Sequence, residues 1–346
     1  MSVVDNAVYR GGHRTAEPDS LDGTLGLLRE DESHPSPDGA DFAWIGLLRP
    51  DDDEIARVAE DFSLPPLAVE DAVNAHQRPK IERYDDIEFV VLRPAWYVDA
   101  TEDVEVGEIH LFIGRDFVVG VRHAEVPDLS AVRSRLENEP GLLRLGPRAV
   151  LYAILDRIVD DYRPVVAELR KDIDQIETEV FGGDPDVSRR IYGLSREVIE
   201  FQRASDPLRE MLRSLMAETE DRPEVVELHR GLRDVADHVM QVTEAAEGYR
   251  QLLERLLQVN AALVGQRQNE EMKRLSEVSV EQGEAAKKVS SWAAILFTPS
   301  LIGAIYGMNF DEIPELHWAL GYPFAIGLMI VASVALFLVF RRRGWL

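Results

Sequence analysis

The sequence predicts an α+β membrane protein with a cytoplasmic α/β domain, a long helical stalk and two C-terminal transmembrane helices. Residues 289–310 and 318–340 contain no Asp, Glu, Lys or Arg. Each segment is long enough to cross a hydrocarbon core, which takes roughly 20 helical residues. A heptad pattern precedes the first apolar segment, and short strand and helix patterns alternate in the first half of the chain. Together these observations indicate a soluble part followed by a membrane hairpin.

The composition argues against several classes of protein. The 346 residues include 38 Lys and Arg against 63 Asp and Glu, a net charge of −25. A surface this acidic repels nucleic acids and attracts cations. There is no Cys, so neither a disulfide nor a thiolate metal site can form. The sequence has no phosphate-binding Gly loop with Lys-Ser/Thr and no Gly-x-Ser-x-Gly motif, and we therefore expect no enzyme active site.

The charges beside the apolar segments predict the membrane topology. Lys287 and Lys288 precede the first segment, and residues 341–343 after the second are all Arg. The connection, residues 311–317, carries three acidic residues and no Lys or Arg. The positive-inside rule therefore puts both termini, including the basic tail at 341–346, in the cytoplasm and the connection outside. No secretory signal is predicted at the N-terminus, and we expect a multi-pass protein of the cell inner (plasma) membrane.

The soluble part divides into three predicted regions. Residues 1–40 are rich in Gly, Asp, Ser and Pro, which predicts a disordered acidic tail. Residues 41–145 are predicted to form the cytoplasmic α/β domain. Its strand patterns lie at 42–47, 87–92, 108–113 and 117–121, and its helix patterns lie at 53–62 and 65–74. Residues 146–288 are predicted to form a helical hairpin, 149–180 with 186–219, and then the stalk helix.

The stalk helix carries a heptad pattern. Apolar residues in alternating steps of four and three predict association with neighbouring helices. These positions are Leu228, Leu232, Val235, Val239, Val242, Ala246, Tyr249, Leu253, Leu256, Asn260 and Leu263. Asn260 is the polar member and a candidate for fixing the register. Without an interruption, a helix over 224–307 would extend about 125 Å at 1.5 Å per residue.

The first apolar segment ends in Gly307-Met308-Asn309. An amide beside a small residue at the end of a spanning helix indicates a polar entrance rather than a lipid contact. On this motif the chain resembles the CorA family of two-span magnesium channels, whose hallmark is Gly-Met-Asn at the end of the first span. Familiar segments at 69–80, 160–162, 233–238 and 313–316 extend the resemblance over about residues 41–346.

The resemblance implies a homopentamer with a funnel-shaped cytoplasmic domain and a pore lined by five copies of the first span. The transported ion would be Mg²⁺, with Co²⁺ and Ni²⁺ as further candidates. Asn309 would form the outer ring that first meets the hydrated ion. The resemblance assigns the rest of the pore to Met308, Gly307, Ala304, Ser300, Phe297 and Ala293. Phe297 replaces a flexible apolar residue of the family, a change that would narrow the pore.

The resemblance also implies regulatory Mg²⁺ sites between subunits. Glu70, Asp71, Asp156 and Asp234 match the acidic positions at which bound Mg²⁺ favours the closed state. Without the resemblance, acidic residues on helices are more often solvated surface positions. Asn309 would likewise be interpreted as a helix cap.

The position of the cytoplasmic gate has two alternatives. Residues 268–276 resemble residues 282–290. The repeat distance of 14 residues is two heptads, so it keeps the apolar heptad positions on the same face of the helix. Counted from Asp234, the gate falls on Met272 and Leu275; counted back from Asn309, it falls at Val289.

Two other functions remain open. A related zinc transporter is the first, and the intact Gly307-Met308-Asn309 counts against it. A non-conducting, membrane-anchored coiled-coil sensor is the second, and it would give no ion flux.

Overall fold

The computed structural model describes residues 3–32, 41–75, 77–123, 126, 128–220, 222–309 and 314–346. Nine strands are formed in these ranges: β1 Val3–Arg10, β2 His13–Ala16, β3 Phe42–Leu48, β4 Lys80–Tyr84, β5 Ile87–Leu92, β6 Ala95–Val98, β7 Asp103–Val106, β8 Ile109–Ile113 and β9 Phe117–Arg122. The same ranges hold ten α-helices: α1 Leu21–Glu32, α2 Asp52–Asp61, α3 Pro66–Asn74, α4 Leu129–Glu137, α5 Pro140–Leu143, α6 Pro147–Gly182, α7 Val187–Ser205, α8 Pro207–Thr219, α9 Val226–Tyr306 and α10 Gly321–Arg342.

Seven of the strands form one mixed sheet in the order β2-β1-β3-β9-β8-β5-β4. The β3–β9 pair is parallel, and the other neighbouring pairs are antiparallel. The β6–β7 hairpin forms a separate two-stranded sheet. The core beneath the seven-stranded sheet includes Ile55 and Val58 of α2 and Ala68 and Ala72 of α3. This packing fixes α3, the helix that carries Glu70 and Asp71, against the sheet.

The prediction that residues 1–40 form a disordered tail is wrong for residues 3–32; residues 33–40 lie outside the described part. Strand β1 pairs with β3 inside the sheet, and its Ala7, Val8 and Tyr9 are fully buried. The polar residues that suggested disorder are partly used in this packing, because the buried Thr24 hydroxyl donates to Asn6 Oδ1 at 2.9 Å. The folded α/β domain therefore begins at Val3 rather than at residue 41.

The mixed α/β prediction for the following residues is confirmed. Strands β3, β5, β8 and β9 lie at the predicted places, and Gly114 N donates to Phe117 O at 2.9 Å in the turn between β8 and β9. Helix α2 begins with a capping box: Asp51 accepts from Glu54 N, and the Glu54 side chain accepts from Asp51 N. Strands β4, β6 and β7 and helices α1, α4 and α5 were not predicted.

Helices α6 and α7 form the predicted antiparallel pair. Arg190, at the start of α7, donates to Gln175 near the end of α6 at 2.6 Å. Farther along, the rings of Tyr162 and Phe201 pack edge to face with centroids 5.2 Å apart. The predicted single helix over 186–219 is divided into α7 and α8, because Pro207 has no N–H to donate to the preceding turn.

Helix α9 runs without a break through Pro299, as predicted. Its heptad seam is buried through Asn260, apart from a half-buried Tyr249. The Tyr249 hydroxyl donates to Val166 O of α6 at 3.2 Å, and Asn260 Nδ2 donates to Ser188 Oγ of α7 at 2.7 Å. The seam therefore packs against helices of the same chain over this length.

The chain separates into two compact units, Met1–Asn260 and Ala261–Leu346. The predicted boundary between the domain at 41–145 and the helices at 146–288 does not separate compact units. In the first unit, α6 packs on the β6–β7 sheet, as shown by the 2.9 Å hydrogen bond from the Tyr97 hydroxyl to Asp172 Oδ2.

The second unit contains the two apolar helical segments. Helix α9 ends at Tyr306, and α10 begins at Gly321, three residues after the predicted start of the second span. The Trp292 and Phe337 rings lie 6.4 Å apart, and Gly303 lies against Met329, so the segments pack antiparallel. Both are long and apolar enough to cross a membrane, and little of either is buried within the chain.

Candidate ion pathway and regulatory carboxylates

The end of α9 carries the Gly-Met-Asn motif. Gly307 N donates to Gly303 O at 2.9 Å, and Met308 N donates to Ile305 O at 3.3 Å, so the last helical turn is completed by the motif itself. Asn309 follows beyond the helix and is exposed. The amide therefore stands at the tip of the apolar segment.

The faces of this segment differ in burial. Ser291 and Ile295 are buried on the side that packs against α10. The predicted pore residues are exposed on the single chain: Ala293, Phe297, Ser300, Ala304, Gly307 and Met308. Ala293 follows the buried Ser291 by two residues, and Phe297 follows the buried Ile295 by two. Each therefore lies about 200° around the helix from a buried position. The chain therefore leaves the predicted pore face uncovered.

The candidate gate residues lie on a stretch of α9 that is exposed in the described part of the chain. Met272, Leu275 and Val289 are exposed by 67%, 64% and 69%. Residues 266–290 are all exposed, so both members of the 14-residue repeat have the same environment. The repeat does not interrupt the helix, and both alternatives for the gate remain.

Asp71 and Glu70 lie on α3, held against the sheet by the buried Ala68 and Ala72. The Glu70 side chain is exposed. Asp71 is half-buried, and its Oδ2 accepts from Lys80 Nζ of β4 at 2.7 Å. The sequence alone did not reveal this partner, because the contact depends on where β4 places Lys80 beside α3.

Asp156 and Asp234 lie on α6 and α9. Asp156 Oδ2 accepts from Arg135 Nη1 of α4 at 2.6 Å. Asp234 is mostly exposed, with His238 Nδ1 3.9 Å from its Oδ2. Within the described ranges, no three or more His, Cys, Asp or Glu side chains are grouped to hold a metal ion. The four candidate regulatory residues are therefore not assembled into a metal site by one chain.

Tyr152 connects the helices that carry Asp156 and Asp234. Its ring fits against Gly231 of α9, where an added Cβ would lie 2.6 Å from the ring. Burial raises the pKa of Tyr152, and the negative charges of Asp156 and Asp234 raise it further. The phenol is therefore within the electrostatic field of both carboxylates. Sequence reasoning missed this contact, although a Gly inside a helix is a signal of close approach.

A folded domain is followed by a pair of uncovered apolar helices with an exposed amide at the tip of the first, an arrangement that suits a membrane transport protein. The family described as CorA-like Mg²⁺ transporter protein matches residues 39–342. The chain therefore belongs to the CorA family of ion transporters.

Relatives match over most of this chain. The cobalt/magnesium transport protein CorA of Thermotoga maritima is 32% identical over 320 residues, which cover 90% of this chain and 86% of the relative. A putative metal ion transporter, YfjQ, of Bacillus subtilis is 30% identical over 307 residues, covering 87% and 89%.

Solved structures share the fold. The complete CorA magnesium transporter of Methanocaldococcus jannaschii matches with a TM-score of 0.54 and 18% identity, and the match covers 100% of this chain and 100% of its own. The full-length CmaX protein matches with a TM-score of 0.62 and 16% identity, covering 99% of this chain and 98% of its own. These similarities confirm the predicted fold class.

Proposed function

We propose that the protein is a homopentameric divalent-cation channel that admits Mg²⁺ and is closed by cytosolic Mg²⁺. Co²⁺ and Ni²⁺ are further candidate ions. The observation that carries the proposal is the uncovered face of α9, which turns away from α10 and leads to the exposed Asn309. Five copies of this face arranged around an axis would line a shared aqueous passage. Both termini are assigned to the cytoplasm from the flanking basic residues.

An amide ring suits the chemistry of Mg²⁺. The ion prefers octahedral oxygen ligands and gives up its waters reluctantly. Neutral amide oxygens can accept hydrogen bonds from those waters without removing them, whereas a ring of carboxylates would hold the ion tightly and slow its exit. Ser300, with its hydroxyl, is the polar member of the proposed pore face below Asn309.

Regulation is assigned to carboxylates that meet across subunit interfaces. Asp71 of one subunit and Asp234 of the next are proposed to share a Mg²⁺ ion, with Glu70 and Asp156 as weaker contributors. Carboxylates brought together repel one another, and a divalent ion removes that repulsion. The mostly exposed side chain of Asp234 is free to meet a partner in another subunit. Loss of cytosolic Mg²⁺ would then loosen the closed assembly.

Flux into liposomes containing the purified chain tests conduction. Wild-type protein should admit Mg²⁺ to a trapped magnesium indicator, and Asn309→Ala should slow that entry. Asn138→Ala, an exposed amide outside the apolar segments, is the matched control and should conduct normally. No flux from wild type would favour the sensor alternative. Zn²⁺ entry without Mg²⁺ entry would favour the zinc transporter.

Regulation is tested separately. Asp71→Asn with Asp234→Asn should conduct but lose much of its inhibition by Mg²⁺ on the cytosolic side. Asp19→Asn with Asp86→Asn is the matched control, since both residues are exposed and neither lies on α3 or α9. Unchanged inhibition in the Asp71 and Asp234 double variant would refute the regulatory assignment and leave the channel assignment intact.

A further inference from the structure

A cavity of about 250 Å³ lies between helices α6, α8 and the start of α9. Its walls are mainly apolar and its polar side chains stand together. The apolar lining consists of Leu145, Leu151, Leu215, Val225, Leu228 and Leu232. The polar lining includes Arg148, Glu218 and Arg222. Such a combination of an apolar cavity and a few polar groups is typical of small-molecule sites.

The positive side chains at this cavity outnumber the negative ones. Arg148 Nη2 donates to Glu88 Oε1 at 2.6 Å and to Glu218 Oε2 at 2.8 Å. Arg83 bonds the same two carboxylates. Arg222 is the fifth charged group, and it forms no ion pair with another residue that the structure describes. Among these five described side chains, three guanidiniums stand against two carboxylates, an excess of one positive charge.

Arg148 shows the effect of this excess. Burial lowers its pKa, and the positive charges of Arg83 and Arg222 lower it further, against the opposing effect of Glu88. An arginine that bonds two carboxylates ordinarily has its cation stabilised. Here the cation remains incompletely compensated, so an added negative charge near Arg148 and Arg222 is favourable.

We propose that this cavity binds a small organic monoanion with an apolar ring or chain. The acidic group would lie between Arg148 and Arg222, and the apolar part would cover the leucines of α6, α8 and α9. Glu218 lines the same cavity and disfavours a second negative charge, so a monoanion fits better than a polyanion. The site lies wholly within the Met1–Asn260 unit.

The probe is 8-anilinonaphthalene-1-sulfonate, a fluorescent aromatic monoanion, added to the full chain in detergent. Wild type should give a saturable signal above that of detergent alone. Arg222→Glu should weaken this binding about tenfold or more, the effect of losing one charge-assisted contact. Arg213→Glu, on the exposed surface of α8, makes the same charge change outside the cavity and should bind as wild type does.

Two further measurements separate the cavity from general apolar adsorption. N-phenyl-1-naphthylamine, the same ring system without sulfonate, should bind wild type more weakly than the anion does. Val225→Trp should reduce binding of the anion by filling the cavity while leaving every charge in place. Equal binding of the anion by the Arg222→Glu and Arg213→Glu variants would overturn the proposal, as would equal binding of the two probes by wild type.

Discussion

Lys80 Nζ lies 2.7 Å from Asp71 Oδ2 and 2.9 Å from Glu82 Oε1. Burial acts to lower the pKa of Lys80, but the hydrogen bonds that its ammonium donates to Asp71 and Glu82 outweigh this effect and leave that pKa raised. The ammonium therefore stays charged at neutral pH. A divalent ion that binds Asp71 must compete with this resident cation.

We predict that Lys80→Gln increases the sensitivity of the channel to cytosolic Mg²⁺. The substitution removes the competing charge and leaves Asp71 in place. A partly exposed ion pair contributes about 1 kcal/mol, so the Mg²⁺ concentration for half-inhibition should fall by about fivefold. Flux measured in liposomes over a range of Mg²⁺ concentrations gives this value directly.

Lys171→Gln is the matched control for Lys80→Gln. Lys171 also pairs with a carboxylate, Glu168 at 2.6 Å, but it is exposed on α6. Its removal should leave the half-inhibitory concentration unchanged. A value for Lys80→Gln equal to that of wild type would mean that Asp71 does not bind the inhibitory ion.

The pairing of Lys80 with Asp71 illustrates what the sequence could not predict. The helix that carries Asp71 was predicted from its start signal, Pro within the first turn. Strand β4 carries alternating charges rather than an apolar pattern, and nothing local indicates that Lys80 reaches α3. The Gly-Met-Asn motif and the continuity of α9 were predictable because each depends on neighbouring residues along the chain.

The structure of the N-terminal segment was predicted wrongly. Its composition predicted disorder, yet β1 lies inside the sheet, and Arg133 of α4 binds two of its residues. Arg133 is 4% exposed; its Nε lies 2.7 Å from Asp5 Oδ2, and its Nη1 donates to the Tyr9 hydroxyl at 3.1 Å. These partners are more than a hundred residues apart in sequence, so composition alone could not reveal them.

Asp5→Asn is predicted to loosen β1. The substitution leaves the buried Arg133 guanidinium without its carboxylate, which should cost about 1–3 kcal/mol. Amides of β1 should then exchange with deuterated water roughly tenfold faster or more. Asp19→Asn, an exposed residue before α1, is the control and should not change the exchange. Equal protection in both variants would contradict the anchoring role of Asp5.

Gly321 is predicted to be required at the start of α10. A Cβ at this position would lie 2.0 Å from the backbone oxygen of Glu315, so Gly321→Ala must displace the turn before the helix. Such overpacking typically costs about 1–3 kcal/mol, and we expect lower Mg²⁺ flux in liposomes. Gly327→Ala is the control, because no atom lies within 4 Å of its added Cβ.

A thiol probe distinguishes a displaced turn from a general loss of folding. The chain contains no Cys, so Met308→Cys introduces a unique label next to Asn309. Its maleimide labelling rate should change with Gly321→Ala and should stay the same with Gly327→Ala. Wild-type flux and labelling in the Gly321→Ala protein would show that the turn tolerates the added methyl group.

Glu197 of α7 provides a prediction about pH. It lines a cavity of about 180 Å³ together with Glu102, Asp103, Asp172 and Arg190. Its Oε2 is buried and has no hydrogen-bond partner among the residues described. Burial raises the pKa of Glu197 to about 7, and Asp103, Asp172 and Glu102 add to the increase, while a hydrogen bond from Val104 N opposes it.

The sign of the effect follows from proton binding. Between the ordinary pKa of an unfolded Glu, about 4.3, and pH 7, the folded state holds a proton at Glu197 that the unfolded state has released. The contribution of this group to stability therefore falls as pH rises through that window and is constant above it. Allowing for partial solvent screening, the loss is about 1–3 kcal/mol.

Glu197→Gln should remove this dependence, since the amide resembles the protonated acid at every pH. The variant should match wild type near pH 4 and melt at a higher temperature at pH 8. Glu177→Gln, an exposed residue of α6, is the control and should follow wild type at both values. A pH 8 melting temperature of Glu197→Gln at or below that of wild type would show that Glu197 is ionised at no cost in the folded protein.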